Sequence, residues 1–429
     1  MERKDGDPGR FAGRTLLVLG GKPIGSCDIV LHARQRGARV IVSDYLPPDQ
    51  SPAKRLADAC WDLSTGDLDA LAARAAREGV DAVFTGAHEF NIRQCQALAQ
   101  RLGLPFYASR QQLQLTSNKP AYKALFARHG VDSIPRLQAA EVDRFPVLIK
   151  PVEGSGAYGI RLCTSAGQFR SQWSQALAEA GSEQDLLIEP FLRGQELTAF
   201  YLLQGGRIQL SALADRLTTG VGDGLIQLPY LYHWPSRHLP RYLEEVNARV
   251  IRALEAMELG EGMVFIQFIA SDGRIMPYDM GYRITGTQEY HLLERACGFN
   301  PLKLLVDYAF TGRLGLEDAP VRVDPWFGGR HAASLTFLAR PGRLSRFVGL
   351  DEVARLPQVV AVIRNHEEGS QIPASAAGTL NQVVLRVLLL AEARDELLGL
   401  QEQVARQVRV LDPAGRDLLV PSPYRTHPA

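Results

Sequence analysis

From residue 14 to about 115, short apolar runs alternate with amphipathic stretches. Thr15-Leu-Leu-Val-Leu19 is apolar after its first position and stops at Gly20-Gly21. That is the pattern of a strand buried on both faces and closed by a turn. Residues 30–36 read as a helix, 38–42 as a second strand, 68–79 as a helix and 81–84 as a third strand. Residues 92–102 read as another helix and Pro105-Phe-Tyr107 as a short fourth strand. Strands alternating with helices predict an open parallel sheet with right-handed crossovers. Residues 1–13 are polar and charged and read as a flexible tail.

The pattern then changes. Residues 120–129 read as one helix stopped by Gly130, and 146–149 as a strand followed by Lys150. A glycine-rich stretch over 153–159 leads to a strand at 160–163 and a helix at 169–180. Strands at 186–188 and 197–203, with a Gly205-Gly206 turn, predict an antiparallel sheet. Residues 243–258 form one long amphipathic pattern. Residues 263–270 and 274–278 predict a hairpin through Ser271-Asp272-Gly273. Helices are expected at 290–297 and 301–310. From about 325 the signals weaken: strands at 332–338 and 359–363, an apolar 382–391 open to either assignment, a helix at 393–407 and a strand at 408–411. The resulting units are 14–115, 116–324 and 325–429, the first α/β and the others α+β.

Composition narrows the class. A chain of 429 residues exceeds one ordinary core. A net charge of +1 gives no broad field for nucleic acid or an anionic membrane. No apolar run reaches the roughly 18 residues of a spanning helix. The cysteines, Cys27, Cys60, Cys95, Cys163 and Cys297, are dispersed with no CxxC pair. They read as reduced thiols of a cytoplasmic protein, buried as small hydrophobes rather than used as metal ligands.

Three segments carry chemistry. In Leu148-Ile-Lys150-Pro-Val-Glu-Gly-Ser-Gly-Ala-Tyr-Gly159, a strand-end ammonium precedes a glycine loop whose N–H groups can close over phosphate. No Gly-Lys-Ser/Thr ends the loop, so it is not a Walker A motif; an ordinary hairpin turn is the other reading. Ile188-Glu-Pro-Phe-Leu-Arg-Gly-Gln-Glu196 is an extended segment that can offer backbone groups to an adenine edge and a carboxylate to ribose; two solvated glutamates at a strand end are the other reading. In Phe265-Ile-Gln-Phe-Ile-Ala-Ser-Asp-Gly-Arg-Ile-Met-Pro-Tyr-Asp279-Met-Gly-Tyr-Arg283, the hairpin sets Gln267 and Asp279 on adjacent strands, in reach of one hard cation. Arg283 lies just beyond, where it can pair with a phosphoryl or carboxylate oxygen. A plain surface hairpin would give the same pattern.

In this order the three segments resemble the ATP-grasp superfamily over residues 14 to 420, in its biotin carboxylase-like and L-amino acid ligase-like branch. Ser117-Asn-Lys119-Pro-Ala-Tyr-Lys-Ala-Leu-Phe-Ala-Arg-His-Gly130 matches the family's opening helix. The resemblance implies that Lys119 and Lys150 contact ATP phosphates, with Gly154, Ser155, Gly156 and Gly159 in the loop. Glu189, Pro190, Phe191 and Leu192 match the adenine hinge, and Glu196 the ribose carboxylate. Gln267 and Asp279 stand at the metal positions, and Arg283 and Lys150 are the catalytic candidates. The implied cofactors are ATP and Mg²⁺, with Mn²⁺ a possible substitute. The metal positions depart from the common pattern: most members have Glu where Gln267 stands, and Asn where Gly281 stands.

The implied reaction is an ATP-dependent ligation. A carboxylate attacks the γ-phosphoryl group, and an amine then displaces phosphate from the acyl phosphate. The partners are small molecules, a homodimer is compatible with the resemblance, and neither nucleic acid nor membrane is expected. His88 and Glu89, at the end of the third strand, are substrate candidates or a solvated loop and helix cap. Arg216 and Arg237 are anion candidates or surface arginines. Gln267 and Gly281 leave one alternative, a decayed nucleotide-binding module. Against it stand Lys119, Lys150, Glu189, Glu196, Asp279 and Arg283, all retained.

Overall fold

The computed structural model describes residues 9–22, 24–153, 159–219, 228–315 and 320–421. Strands β1 (Thr15–Leu19), β2 (Arg39–Ser43), β3 (Ala59–Trp61) and β4 (Ala82–Phe84) form a parallel sheet in the order β3-β2-β1-β4. Every residue of β1 is buried, as its apolar run requires. Helices Ser26–Gln35 and Leu68–Arg77 supply the β1–β2 and β3–β4 crossovers, and Glu89–Leu102 follows β4.

Two expectations for this unit are corrected. The fourth strand is β3, not 105–107. Pro105 has no N–H to give a ladder, and the next two residues serve packing instead: Phe106 and Tyr107 stack at 4.7 Å. Tyr107 Oη donates to the Tyr282 carbonyl at 3.2 Å, and Tyr282 Oη donates to the Tyr107 carbonyl at 3.0 Å. The tail expected over 1–13 is anchored in its last part: Phe11 is buried, its N–H donates to the Arg36 carbonyl, and its ring stacks on Phe310. Residues 1–8 lie outside the described residues.

A small antiparallel sheet follows, in the order β6-β5-β7, from β5 (Val147–Pro151), β6 (Arg161–Cys163) and β7 (Leu186–Pro190). The helix Ala166–Ala180 packs against it, with Phe169 joining Val147, Ile149 and Ile188 in its core.

The third body is an eight-stranded antiparallel sheet. Its strands are β8 (Gln195–Gln204), β9 (Arg207–Thr219), β10 (Leu228–Trp234), β11 (Gly262–Ser271), β12 (Arg274–Gly281) and β13 (His331–Leu338), followed by Val383–Ala391 and Val359–Arg364. The order is β12-β11-β8-β9-β10-β13, then the strands at 383 and 359. Pairing of β10 with β13 carries the sheet across residues 324 and 325 without interruption. The ambiguous 382–391 stretch is thus an interior strand, buried throughout. The long helix expected over 243–258 is two shorter ones, Leu239–Glu245 and Asn247–Glu255, interrupted at Val246. The architecture is the α/β plus α+β arrangement expected. No described helix is long and apolar enough to cross a membrane.

Candidate nucleotide and ligase site

Lys150 is the penultimate residue of β5, and Glu189 lies two positions from it across the β5–β7 ladder on the same face, opposite Leu148. Lys150 Nζ donates to Glu189 Oε2 at 2.7 Å, and Lys123 Nζ donates to Oε1. All three side chains are buried. Lys123 sits one turn after Lys119 on the helix Lys119–Arg128, which Asn118 caps. Burial pulls the Lys119 and Lys123 ammonium groups below their ordinary range, against the pull of Asp279 on the first and Glu189 on the second. Burial pushes the Glu189 carboxyl upward, but Lys150 and Lys123 outweigh it and hold the group below the ordinary carboxylate range.

The large sheet supplies the opposing wall. Gln267 on β11 pairs with Asp279 on β12, and a β-bulge follows immediately, leaving Tyr278 as the extra residue. Bulges re-aim side chains. Here Tyr278 Oη donates to Glu196 Oε2 at 2.7 Å. Arg216, in register with Glu196 on β9, donates to the same oxygen through Nη1 and to Tyr232 Oη through Nε at 3.1 Å. Beside Glu196, Ile134, Ile269 and Met276 form a small apolar cluster with Leu192 packed on it. That surface suits the face of a planar base next to a carboxylate for its sugar.

The Asp279 and Gln267 side chains make no hydrogen bond to the described residues. Burial raises the Asp279 carboxyl above its ordinary range, while Lys119, Arg283 and Lys150 pull it down. Arg283 Nε donates to Glu89 Oε2 at 3.0 Å, its Nη1 to the Ile284 carbonyl at 2.9 Å, and its guanidinium lies 4.8 Å from the Phe265 ring centroid. A Cβ at residue 281 would come within 2.5 Å of the Phe265 ring. The ring that carries Arg283 thus fills the space a larger residue would need at 281.

The structure therefore brings together Lys119, Lys150, Glu189, Glu196, Gln267, Asp279 and Arg283. Four expectations change in detail. The Glu189 side chain turns to two lysines, and it is Leu192 that faces the apolar cluster. Glu89 is bonded to Arg283. Arg216 is bonded to Glu196 rather than left open to an anion. Arg237 is exposed and bonded to Gln195 at 2.9 Å. His88 precedes the helix Glu89–Leu102, its ring held below the ordinary histidine range by burial and by Arg283. Gly159 has φ +73°, and a Cβ there would meet Pro151 at 2.8 Å, so the chain can return to β6 only through glycine. Gly154, Ser155 and Gly156 lie outside the described residues.

Comparison with known proteins agrees with this fold. Residues 124–200 match the family model "Carbamoyl-phosphate synthase L chain, ATP binding domain". The L-amino acid ligase from Bacillus licheniformis superposes with a TM-score of 0.73 at 16% identity, covering 94% of this chain and 99% of that one. The biotin carboxylase domain of Hydrogenobacter thermophilus 2-oxoglutarate carboxylase, solved with MgADP and bicarbonate, gives 0.73 at 17% identity, covering 92% of this chain and 90% of that one. The chain is thus similar to ATP-grasp proteins, in sequence over residues 124–200 and in fold over most of its length. A formate-dependent phosphoribosylglycinamide formyltransferase of Erythrobacter litoralis is 29% identical over 190 residues, covering 41% of this chain and 47% of that protein. The chain thus spans about half the length of this relative.

The donor set of this site can be tested against Mg²⁺. A hard cation wants oxygen ligands and takes few of them from protein. Asp279 and Gln267 offer adjacent oxygens bonded to no described residue, amid cations that would share the phosphates. The described residues contain no cluster of three or more His, Cys, Asp or Glu, so the donors fit a phosphate-bound Mg²⁺ and not a protein-caged transition metal.

Lys123 and Tyr278 are the site residues that sequence reasoning missed. Lys123 had one available signal, its spacing of four from Lys119, which stacks both on one helix face. The Glu189 triad yields a direct expectation. Glu189→Gln leaves two buried ammonium groups without a carboxylate and should cost about 3–5 kcal/mol. The native carboxyl titrates below its unfolded value, so its contribution is present above the ordinary carboxylate range and is lost as pH falls through the folded-state value. Thermal melting from pH 7 downward should show this acid limb in the wild type. The variant should melt lower at pH 7 and lack that part of the decline.

Proposed function

We propose that the chain is an ADP-forming carboxylate–amine ligase working through an acyl phosphate. The observation that carries this reading is the convergence of Lys119 and Lys150 from one lobe on Asp279, Gln267 and Arg283 from the other. The adenine lies against Leu192 and its apolar neighbours, and Glu196 accepts from the ribose. Glu196 is oriented for this by Arg216 and Tyr278, which leave its second oxygen to the sugar. Lys119 and Lys150 neutralise phosphate oxygens, and Glu189 with Lys123 fixes the direction of Lys150.

Mg²⁺, held by Asp279 and Gln267, would supply charge neutralisation across the phosphates. The acid's carboxylate attacks the γ-phosphorus, the bond to ADP breaks, and Arg283 stabilises the charge on the transferred group. The amine then attacks the acyl carbon and phosphate departs. The enzyme relatives support this class: the name of the Erythrobacter protein pairs formate, a carboxylate, with formyl transfer, and the Bacillus neighbour is an L-amino acid ligase. A small amino acid or amino-bearing metabolite is the substrate class we favour. The unpaired thiols suit a cytoplasmic setting, and we retain 14–115, 116–324 and 325–429 as the working division of the chain.

The test is ADP and phosphate release measured with Mg-ATP and a panel of carboxylic acids and amines, singly and in pairs, with the product weighed by mass spectrometry. A pair-dependent release with a product lighter than the two reactants by one water is expected. ATP binding without release for any pair would favour a nucleotide-binding module in which catalysis has been lost.

A further inference from the structure

One buried cluster is not used by the mechanism above. Glu196, Arg216, Tyr232 and Ser334 stand in register across β8, β9, β10 and β13, so they share one face of the sheet. Thr336 lies two residues beyond Ser334 and pairs with Arg386 on the strand Val383–Ala391. Arg386 therefore continues the face that carries the nucleotide-site residues, farther along the sheet. It is 4% exposed, and its Nε and Nη1 are enclosed with no acceptor among the described residues. The Ser334 and Thr336 hydroxyls beside it have no partner among them either. An arginine left so in a sheet interior is costly.

The helix Tyr290–Cys297 packs on this strand. Glu289 precedes it and is fully buried. Its Oε2 accepts from Thr285 Oγ1 at 2.5 Å and from Thr287 Oγ1, while Oε1 has no donor among the described residues. The neighbouring Gln288 Oε1 is enclosed and unbonded as well, on a backbone with φ +58° that non-glycine residues rarely adopt. Glu289 and Arg386 act on one another electrostatically, yet no described ion pair joins them. Arg283 also acts on Glu289. A buried cation with two unmet donors and a buried carboxylate with one unmet acceptor are thus near enough to act on one another, the carboxylate within the field of the catalytic arginine.

Resting on the ligase reading, we infer that Arg386 and Glu289 are the two poles of a receptor for the amine substrate, and that this substrate is an aminocarboxylate. Its carboxylate binds Arg386, with Ser334 and Thr336 able to donate further hydrogen bonds. Its ammonium binds Glu289 Oε1 and Gln288 Oε1, which places the nitrogen at the Arg283 end, where the acyl group is made. Among the described residues the groups acting on the Arg386 charge are Tyr232, Tyr290 and Glu289, none of them a cation. That environment suits a singly charged carboxylate over a phosphate dianion.

The probes are the twenty L-α-amino acids, the decarboxylated amine and the des-amino acid of each binder, and 2-aminoethyl phosphate. Each is titrated calorimetrically into the full chain with Mg-ADP present. At least one amino acid should bind, and removing either of its charges should weaken binding roughly 10- to 100-fold, as for a hydrogen bond to a charged group. Arg386→Met should bind that amino acid and its decarboxylated amine equally, and Glu289→Gln should bind it and its des-amino acid equally. If a variant fails to fold, the wild-type series still decides: an amino acid bound no better than its decarboxylated amine overturns the inference. So does tight binding of 2-aminoethyl phosphate with none of any amino acid. Amide formation from an amine that has no carboxylate, with no amino acid bound, would sink the receptor and leave the ligase reading standing. A chain that does not bind ATP would sink the ligase reading itself.

Discussion

Asp279→Asn is expected to abolish ADP formation at every accessible Mg²⁺ concentration while leaving the fold intact. Asp279 is the one carboxylate of the β11–β12 hairpin that lies among Lys119, Lys150 and Arg283. It accepts no hydrogen bond from the described residues, so replacing an oxygen by an amide breaks no native contact. Its carboxyl is already raised by burial, and removing that buried charge should not lower the melting temperature. What is lost is the single negative side-chain ligand at the metal positions, because Gln267, its partner across the hairpin, brings only a neutral carbonyl oxygen. Gln267→Glu is the complementary change and should lower the Mg²⁺ concentration for half-maximal rate. Both follow from titrating Mg²⁺ against ADP release with the true substrate pair. Turnover of Asp279→Asn near the wild-type rate at low Mg²⁺ would remove Asp279 from the metal site.

The parts of this site that could be read in the sequence share a property. Lys150, Glu196, Asp279 and Arg283 each sit near a strand end marked by glycine or by a turn, and Gln267 is placed opposite Asp279 by the hairpin turn between them. Strand, turn and charge are therefore all local signals. Lys123, Tyr278 and Arg386 lack such signals. Lys123 looks like a solvated helix lysine until β7 brings Glu189 to it. Tyr278 is redirected by a bulge, and nothing in the alternation of β12 announces where its register slips. Arg386 interrupts an apolar strand, and whether that strand is central or marginal depends on pairing with β13 and the strand Val359–Arg364, far away in the chain.

The fold divides in the same way. The parallel sheet was legible because β1, β2 and β4 are apolar runs buried on both faces. β3 was not, because Ala59-Cys-Trp61 is short and only its last residue is fully buried. The 105–107 segment carries aromatic residues that suit a strand by composition, but their rings are used to lock the first unit onto Tyr282. Tertiary packing overrode propensity there.

Arg283→Ala should lose about 10²–10³-fold in kcat, the usual cost of removing one group that stabilises developing charge, and should keep ATP binding within a few-fold. The guanidinium is held from three sides. Glu89 accepts from Nε, the Ile284 carbonyl from Nη1, and Phe265 lies under the plane. Nη2 makes no hydrogen bond to the described residues. Such a clamp fixes the fork before substrate arrives, so little reorganisation remains when charge appears on the transferring phosphoryl group. Ground-state ATP has Lys119 and Lys150 for its phosphates and Glu196 for its ribose, so the Arg283 contribution should fall on kcat more than on KM for ATP. Arg283→Lys keeps the charge but cannot bond Glu89, the backbone carbonyl and a phosphoryl oxygen in one plane, so it should rescue little. The check is a pair of measurements on each variant: calorimetric titration of Mg-ATP, and phosphate release with the substrate pair in saturating amounts. A variant that binds and turns over like the wild type would show that the acyl phosphate is made without this arginine. A variant with weakened ATP binding and an unchanged kcat would move Arg283 from the transition state to the nucleotide.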